Sequence, residues 1–164
     1  RKPVIASIQG YCFGVGFEFS LACDFRIVTR CAQLSLPEMK IGMIPGSGGS
    51  VRLSRMIGLS RVKDMIMRGK RISGEEAYNY GLASEVVEIN DLENATKNLV
   101  KELCLVSPLA QRAIKTVLNA SQDAPLHVAI ELEGETYGRL RSSSDFKEGV
   151  KSFVEKRKPV YTGQ

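Results

Sequence analysis

Between Pro3 and Pro45 the chain reads PVIASIQGYCFGVGFEFSLACDFRIVTRCAQLSLPEMKIGMIP, and the glycines of this stretch limit the fold more than any other feature. Val4, Ile5, Ala6 and Ile8 form a small, apolar run that reads as a buried strand, broken at Gly10 and again at Gly14 and Gly16. Phe17, Leu21 and Ala22 then recur at helical spacing. The glycines therefore sit where a strand gives way to a helix. The first N–H groups of such a helix lack intrahelical partners and carry the positive end of the macrodipole, so they can hold a developing oxyanion. Glu18 lies in the same first turn.

A second glutamate, Glu38, follows Pro37 and precedes Met39, Ile41, Met43 and Ile44 in a segment too punctuated by Gly and Pro for an α-helix, which puts it on a loop. Two carboxylates on separate elements within apolar sequence suit paired acid and base work, because burial moves a carboxyl toward the neutral range that one member needs. Taken singly, each has an ordinary explanation: a helix dipole favours Glu in the first turn, and Glu after proline is commonly solvated.

Four segments, GYCFGVGFEFSLACDFRI, LPEMKIGMIPGSGGSVRLSRMIG, RGKRISGEEAYNYGLASEVV and EGVKSFVEKRKP, resemble in content, order and spacing those of the crotonase superfamily, specifically its enoyl-CoA hydratase/isomerase family. Glu18 and Glu38 stand 20 positions apart (38 − 18), the separation of that family's catalytic pair. The resemblance covers essentially the whole chain. It implies an α/β fold of the crotonase-like (ClpP/crotonase) type: a ββα spiral core over residues 1–90, then a C-terminal helical region over residues 91–164 that packs a homotrimer or a dimer of trimers and covers the active site. It also implies that this chain, which begins at Arg1, matches the family's later portion. The N-terminal part of the fold is then missing, with the loop that supplies the second oxyanion N–H and part of the CoA site. Residues 1–164 alone are accordingly expected to be insoluble or inactive.

The reaction implied by the resemblance is reversible syn addition of water across the double bond of a 2-enoyl-CoA thioester, whose carbonyl becomes an enolate-like oxyanion. The Val15 N–H, between Gly14 and Gly16, matches one oxyanion donor; Glu18 activates the water and Glu38 delivers a proton to C2. Pro45 and Gly46 match the wall near the acyl group, and Phe153 and Lys156 match contacts to the CoA adenosine end, although a core phenylalanine and a solvated lysine explain those two equally well. The family commonly has glycine where Val15 stands; a β-branched side chain there narrows the backbone angles and crowds the thioester. No cofactor is implied beyond the CoA of an acyl-CoA substrate. Isomerases of the family usually keep only the later glutamate, and other members hydrolyse or decarboxylate acyl-CoA. A non-catalytic binding protein on the same scaffold is a reading from another class. The presence of both glutamates favours the hydratase.

The remaining chemistry is narrow. Cys12, Cys23, Cys31 and Cys104 show no C-x-x-C spacing and His127 is the lone histidine, so neither a metal site nor a Cys-His nucleophile is expected. A reducing compartment, cytoplasmic or mitochondrial matrix, suits these thiols. The net charge of +5 is spread along the chain apart from Lys156 to Lys158, with no Trp and no aromatic-interleaved basic motif, so nucleic acid is not an expected partner. No run approaches the ~20 apolar residues of a membrane span.

Beyond the first strand, helix signals outnumber strand signals. The helix that carries Glu18 ends near Asp24, and Phe25 to Thr29 reads as a strand. Pro45 to Ser50 is a tight turn without a phosphate-loop pattern, opening a helix with Val51, Leu53, Met56 and Ile57 on its apolar side. Ser60 caps a helix over residues 61–68, Ser73 and Glu76 form a capping box, and Leu82 to Glu88 is a last strand. Helices then follow from Asp91, from Ser107-Pro108, from Pro125 and from the serines at 142–144, each with an apolar stripe.

Overall fold

The computed structural model describes residues 2–164 and falls into two compact units, Val4–Asn98 and Leu99–Gln164, the latter with Lys2 and Pro3. In the first unit the apolar run becomes β1 (Ile5–Ile8), and Gly10, at φ 63°, turns the chain into β2 (Tyr11–Phe13). Gly14 then opens α1 (Val15–Ala22). Next come β3 (Phe25–Thr29), β4 (Gln33–Ser35), a 3-10 turn at Glu38–Ile41, α2 (Gly49–Ile57) and α3 (Leu59–Met67). The unit continues with β5 (Ile72–Ser73), α4 (Gly74–Asn79), β6 (Glu85–Val87) and the start of α5 (Leu92–Cys104).

Strands β1, β3 and β6 form one sheet with β3 in the centre and both pairings parallel, Ile5 opposite Phe25 and Ile27 opposite Glu85. Strands β2, β4 and β5 form another: β2 runs parallel to β4, with Cys12 opposite Leu34, and β5 runs antiparallel to β4, with Ile72 opposite Leu34. Parallel neighbours need a crossover, and α1 supplies it. Because the chain steps from β1 to β2 and again from β3 to β4, each pass adds one strand to each sheet, which makes the unit a spiral. Its core includes Phe17, Leu21, Val28, Leu34, Leu53 and Ile72.

Strand β3 is buried along Arg26, Ile27, Val28 and Thr29, as a central parallel strand should be. Arg26 is the chemical exception. Its Nη1 donates to the carbonyls of Ser20 and Cys23, both at 2.8 Å, and its Nε donates to the carbonyl of Leu82. Burial pulls this guanidinium below the ordinary arginine range, and a cation set among carbonyls at the C-terminal end of α1 is matched to the negative end of that helix.

Several local expectations shift. Strands β2, β4 and β5 occupy stretches where no strand is expected from the residues, because two or three residues cannot display a period-two pattern. Helix α1 stops at Ala22, with Cys23 as its C-cap, short of Asp24. Helix α3 begins at Leu59 behind Gly58 at φ 79°, not at residue 61 behind Ser60, since two helices this close share one glycine hinge. On α2 Leu53 and Ile57 are buried while Val51 and Met56 are exposed. The capping box does form: Ser73 Oγ accepts from the Glu76 N–H at 3.1 Å and Glu76 Oε2 from the Ser73 N–H at 2.9 Å.

The second unit holds the end of α5 together with α6 (Pro108–Ser121), α7 (Leu126–Arg141) and α8 (Ser144–Val154). Ser107 and Ser143 cap α6 and α8 through the N–H groups of Ala110 and Phe146. Two carboxylates of α8 hold the final residues. Asp145 accepts from Ser107 Oγ and from the N–H groups of Thr162 and Gly163, and Glu148 accepts from Val160 N–H and from both terminal nitrogens of Arg157. Burial alone would raise the Asp145 carboxyl, yet these donors outweigh it and hold it below the usual range; Arg157 first and Val160 second hold Glu148 at about 2. Among the described residues no helix is long and apolar enough to cross a membrane.

Gly74 begins α4 directly against β3. A β-carbon there would lie 2.0 Å from the Thr29 carbonyl oxygen, part of the central strand's backbone, which cannot step aside. In the complete protein Gly74→Ala is therefore expected to lower the unfolding free energy by about 1–3 kcal/mol, the cost of overpacking a core. Urea denaturation measures it, and a variant as stable as the parent would mean that α4 can slide off the strand.

Candidate active site

Gly14, at φ 55°, joins the elements that carry the two glutamates. Its N–H donates to the Ser35 carbonyl at 3.0 Å, holding the end of β2 to β4, and its carbonyl accepts from the Glu18 N–H at 2.9 Å, the first ladder bond of α1. A β-carbon on Gly14 would stand 3.0 Å from Glu38 Oε1. Only a glycine lets the second carboxylate come this close while the backbone turns through a left-handed angle. The N–H groups of Val15, Gly16 and Phe17 precede the ladder and have no partner within the helix. The Val15 side chain is 67% exposed, so it projects out from the head of α1 and is not packed under it.

Glu18 is 1% exposed and its Oε1 accepts two backbone N–H groups, Ser47 at 2.9 Å and Gly49 at 2.8 Å. These donors lie at the start of α2, whose N-cap is Gly48 at φ 87° with no capping side chain of its own. A carboxylate from α1 takes the place of the missing cap and meets the positive end of α2. The approach requires Gly49, where a β-carbon would fall 2.6 Å from Glu18 Cγ. The glycine run after Pro45 thus does more than turn tightly: its amides cradle an anion, and the anion is the chain's own. Pro45 is buried and Gly46 exposed at the head of this run. The sequence signal for the cradle was a helix start with no Ser, Thr, Asp or Asn at its cap.

Glu38 opens the 3-10 turn and is treated differently. Its Oε2 is buried and has no hydrogen-bond partner among the described residues. An orphan of this kind costs about 1–3 kcal/mol, and a native chain that keeps one calls for a reason, a catalytic role among them. Ile41, Met43 and Ile44, which follow it, are exposed apolar side chains.

Phe153 and Lys156 belong to the helical unit. Phe153, near the end of α8, is 86% exposed and does not fill a core; Lys156 follows that helix at φ 53°, the one non-glycine residue with a positive φ among those described. No group of three or more His, Cys, Asp or Glu among the described residues is placed to hold a metal ion. The arrangement in the first unit is one carboxylate fixed by two amides, one carboxylate with an uncommitted oxygen, and the open N-terminus of α1, which Gly14 ties to both. Such a set can move a proton on and off a substrate while amide dipoles receive a developing negative charge.

The family described as enoyl-CoA hydratase/isomerase matches residues 1–164. A carnitinyl-CoA dehydratase from Salmonella agona is 38% identical over 172 residues, covering 99% of this chain and 64% of that protein. Among solved structures, an enoyl-CoA hydratase from Bacillus anthracis is 40% identical with a TM-score of 0.96, covering 99% of this chain and 63% of that one. An enoyl-CoA hydratase from Mycobacterium marinum is 30% identical with a TM-score of 0.95, covering 99% and 64%. The chain therefore spans a little under two thirds of the length of these relatives.

The unequal bonding of the carboxylates has a measurable consequence. Glu18→Ala removes the acceptor of two amides and is expected to cost about 1–3 kcal/mol of stability, whereas Glu38→Gln alters an oxygen that bonds to nothing in the fold and should stay within about 0.5 kcal/mol. Thermal unfolding of the two variants compares them; equal losses would contradict the geometry.

Proposed function

The chain belongs to the enoyl-CoA hydratase/isomerase family, and on that premise we propose that the protein is an enoyl-CoA hydratase acting on a 2-enoyl-CoA thioester. The observation that carries the proposal is the buried, unpartnered Oε2 of Glu38, in a unit where the other carboxylate, Glu18, is fixed by two amides. Water adds at C3 as Glu18 takes one of its protons, and Glu38 gives a proton to C2, so the product gains the elements of one water. Proton exchange with solvent restores the pair. The thioester oxygen, negative as the C3–O bond forms, sits against the Val15 N–H between Gly14 and Gly16, with a second donor from elsewhere in the protein. Pro45 and Gly46 border the acyl group, and Phe153 and Lys156 meet the adenosine end of CoA. The exposed Ile41, Met43 and Ile44 give an apolar acyl chain something to lie against.

A second reading has its own support. The carnitinyl-CoA dehydratase similarity favours the same chemistry run backwards, with Glu38 removing the C2 proton and Glu18 protonating the departing hydroxyl. Both directions use the same atoms. Isomerases of the family usually keep only the later glutamate, so the presence of Glu18 favours hydration over isomerisation. The bacterial sources of these relatives support a cytoplasmic setting over a mitochondrial one.

The helical unit bears Leu126, Ile130 and Tyr137 as exposed side chains, and we take them to pack between copies in a homotrimer or a dimer of trimers, since large exposed apolar patches mark interfaces.

In the complete protein Glu18→Gln and Glu38→Gln are each expected to lower kcat for hydration of an enoyl-CoA thioester by about 100-fold or more, with KM little changed. Turnover near the parent rate in either would remove that residue from the mechanism. Light scattering at micromolar protein should give a mass of three or six copies; a stable monomer would remove the assembly.

A further inference from the structure

The cradle that holds Glu18 is built from three consecutive peptide units, and two of them are fixed by Glu18 itself. The N–H of the 46–47 peptide, on Ser47, and the N–H of the 48–49 peptide, on Gly49, both reach Oε1. The 47–48 peptide between them is held from elsewhere. Its carbonyl, on Ser47, accepts from Arg52 Nη1 at 2.8 Å. The same guanidinium lies against Gly48, where a β-carbon would stand 2.5 Å from Nη1 and 3.1 Å from Cζ. Arg52 also donates its backbone N–H to the Gly48 carbonyl at 3.0 Å, so one residue grips the turn with both main chain and side chain.

We propose that Arg52 is a positioning residue for the reaction, acting through the 47–48 peptide to keep the Ser47 and Gly49 amides aimed at Glu18. A turn with glycine at positions 46, 48 and 49 resists peptide rotation poorly by itself, because glycine crosses between left- and right-handed angles at little cost. Rotation of the middle peptide would swing both neighbouring N–H groups off the carboxylate. The base would then lose its fixed orientation, and misplacement by about 1 Å costs about 100-fold in rate. Arg52 is exposed, so its removal leaves the core intact.

The assignment rests on the hydratase reading for its kinetic arm and on the fold alone for its structural arm. In the complete protein, Arg52→Met keeps the apolar stem and removes the donors, while Arg52→Lys returns one donor. Arg52→Met is expected to lower kcat about 10- to 100-fold with KM within about threefold, and Arg52→Lys to recover most of that loss. Placed on Glu18→Gln, Arg52→Met should cost less than about twofold more, because a residue acting through Glu18 has nothing left to position. Deuterium exchange at the Ser47 and Gly49 amides should rise about tenfold or more in Arg52→Met, with the rest of the spiral unchanged. Unchanged exchange at these amides overturns the proposal, as does an equal kinetic loss in both backgrounds. If the protein hydrates no enoyl-CoA at all, the function fails while the exchange result still decides whether Arg52 holds the cradle.

Discussion

One carboxylate oxygen, Glu18 Oε1, connects the two helices on which the first unit turns. It satisfies amides at the start of α2 from a position in the first turn of α1, so the two helix beginnings are held to each other through a side chain that is almost wholly buried. At its other end α1 is held by Arg26, which gathers the Ser20 and Cys23 carbonyls and adds that of Leu82. Each charge lies at the helix end of opposite polarity, Glu18 against the start of α2 and Arg26 against the finish of α1. The crossover between β1 and β3 is thereby fixed at both ends by buried, hydrogen-bonded ions, and removing the partners of such an ion is strongly destabilising.

The two glutamates divide the work unequally because their surroundings do. Glu18 serves the fold through Oε1 and, on the proposed function, serves the chemistry as well. Glu38 leaves Oε2 without a partner, an arrangement that destabilises the isolated fold and suits an atom meant for a substrate. Gly14 is the residue that lets Glu38 approach the head of α1, since a side chain there would press on that carboxylate and strain the turn into the helix.

Much of this was legible in residues alone. The strand before Gly10, the helix after Gly14, the strand at Phe25 to Thr29, the capping box at Ser73 and the late helices all announce themselves by periodicity or by cap chemistry. The two- and three-residue strands do not, because they exist through pairing across the sheet and carry no pattern of their own. The cradle around Glu18 was hidden for a related reason: its donors are backbone amides 29 and 31 positions away, and amides have no letter in a sequence. Ser60 showed the limit of cap rules, since a glycine at 58 already joined α2 to α3 and left no room for a second cap.

Central strand β3 has one neighbour close behind it in the chain and one far ahead. Phe25 meets Ile5, 20 positions earlier (25 − 5), whereas Ile27 meets Glu85, 58 positions later (85 − 27). During synthesis at about 5–20 residues per second, the second gap lasts roughly 3–12 seconds. Through this interval Arg26 has only the two helix carbonyls, and the far edge of β3 is bare. A nascent chain paused between β3 and β6 therefore presents an unpaired apolar strand edge to whatever is nearby, and that edge is what a chaperone would have to shield.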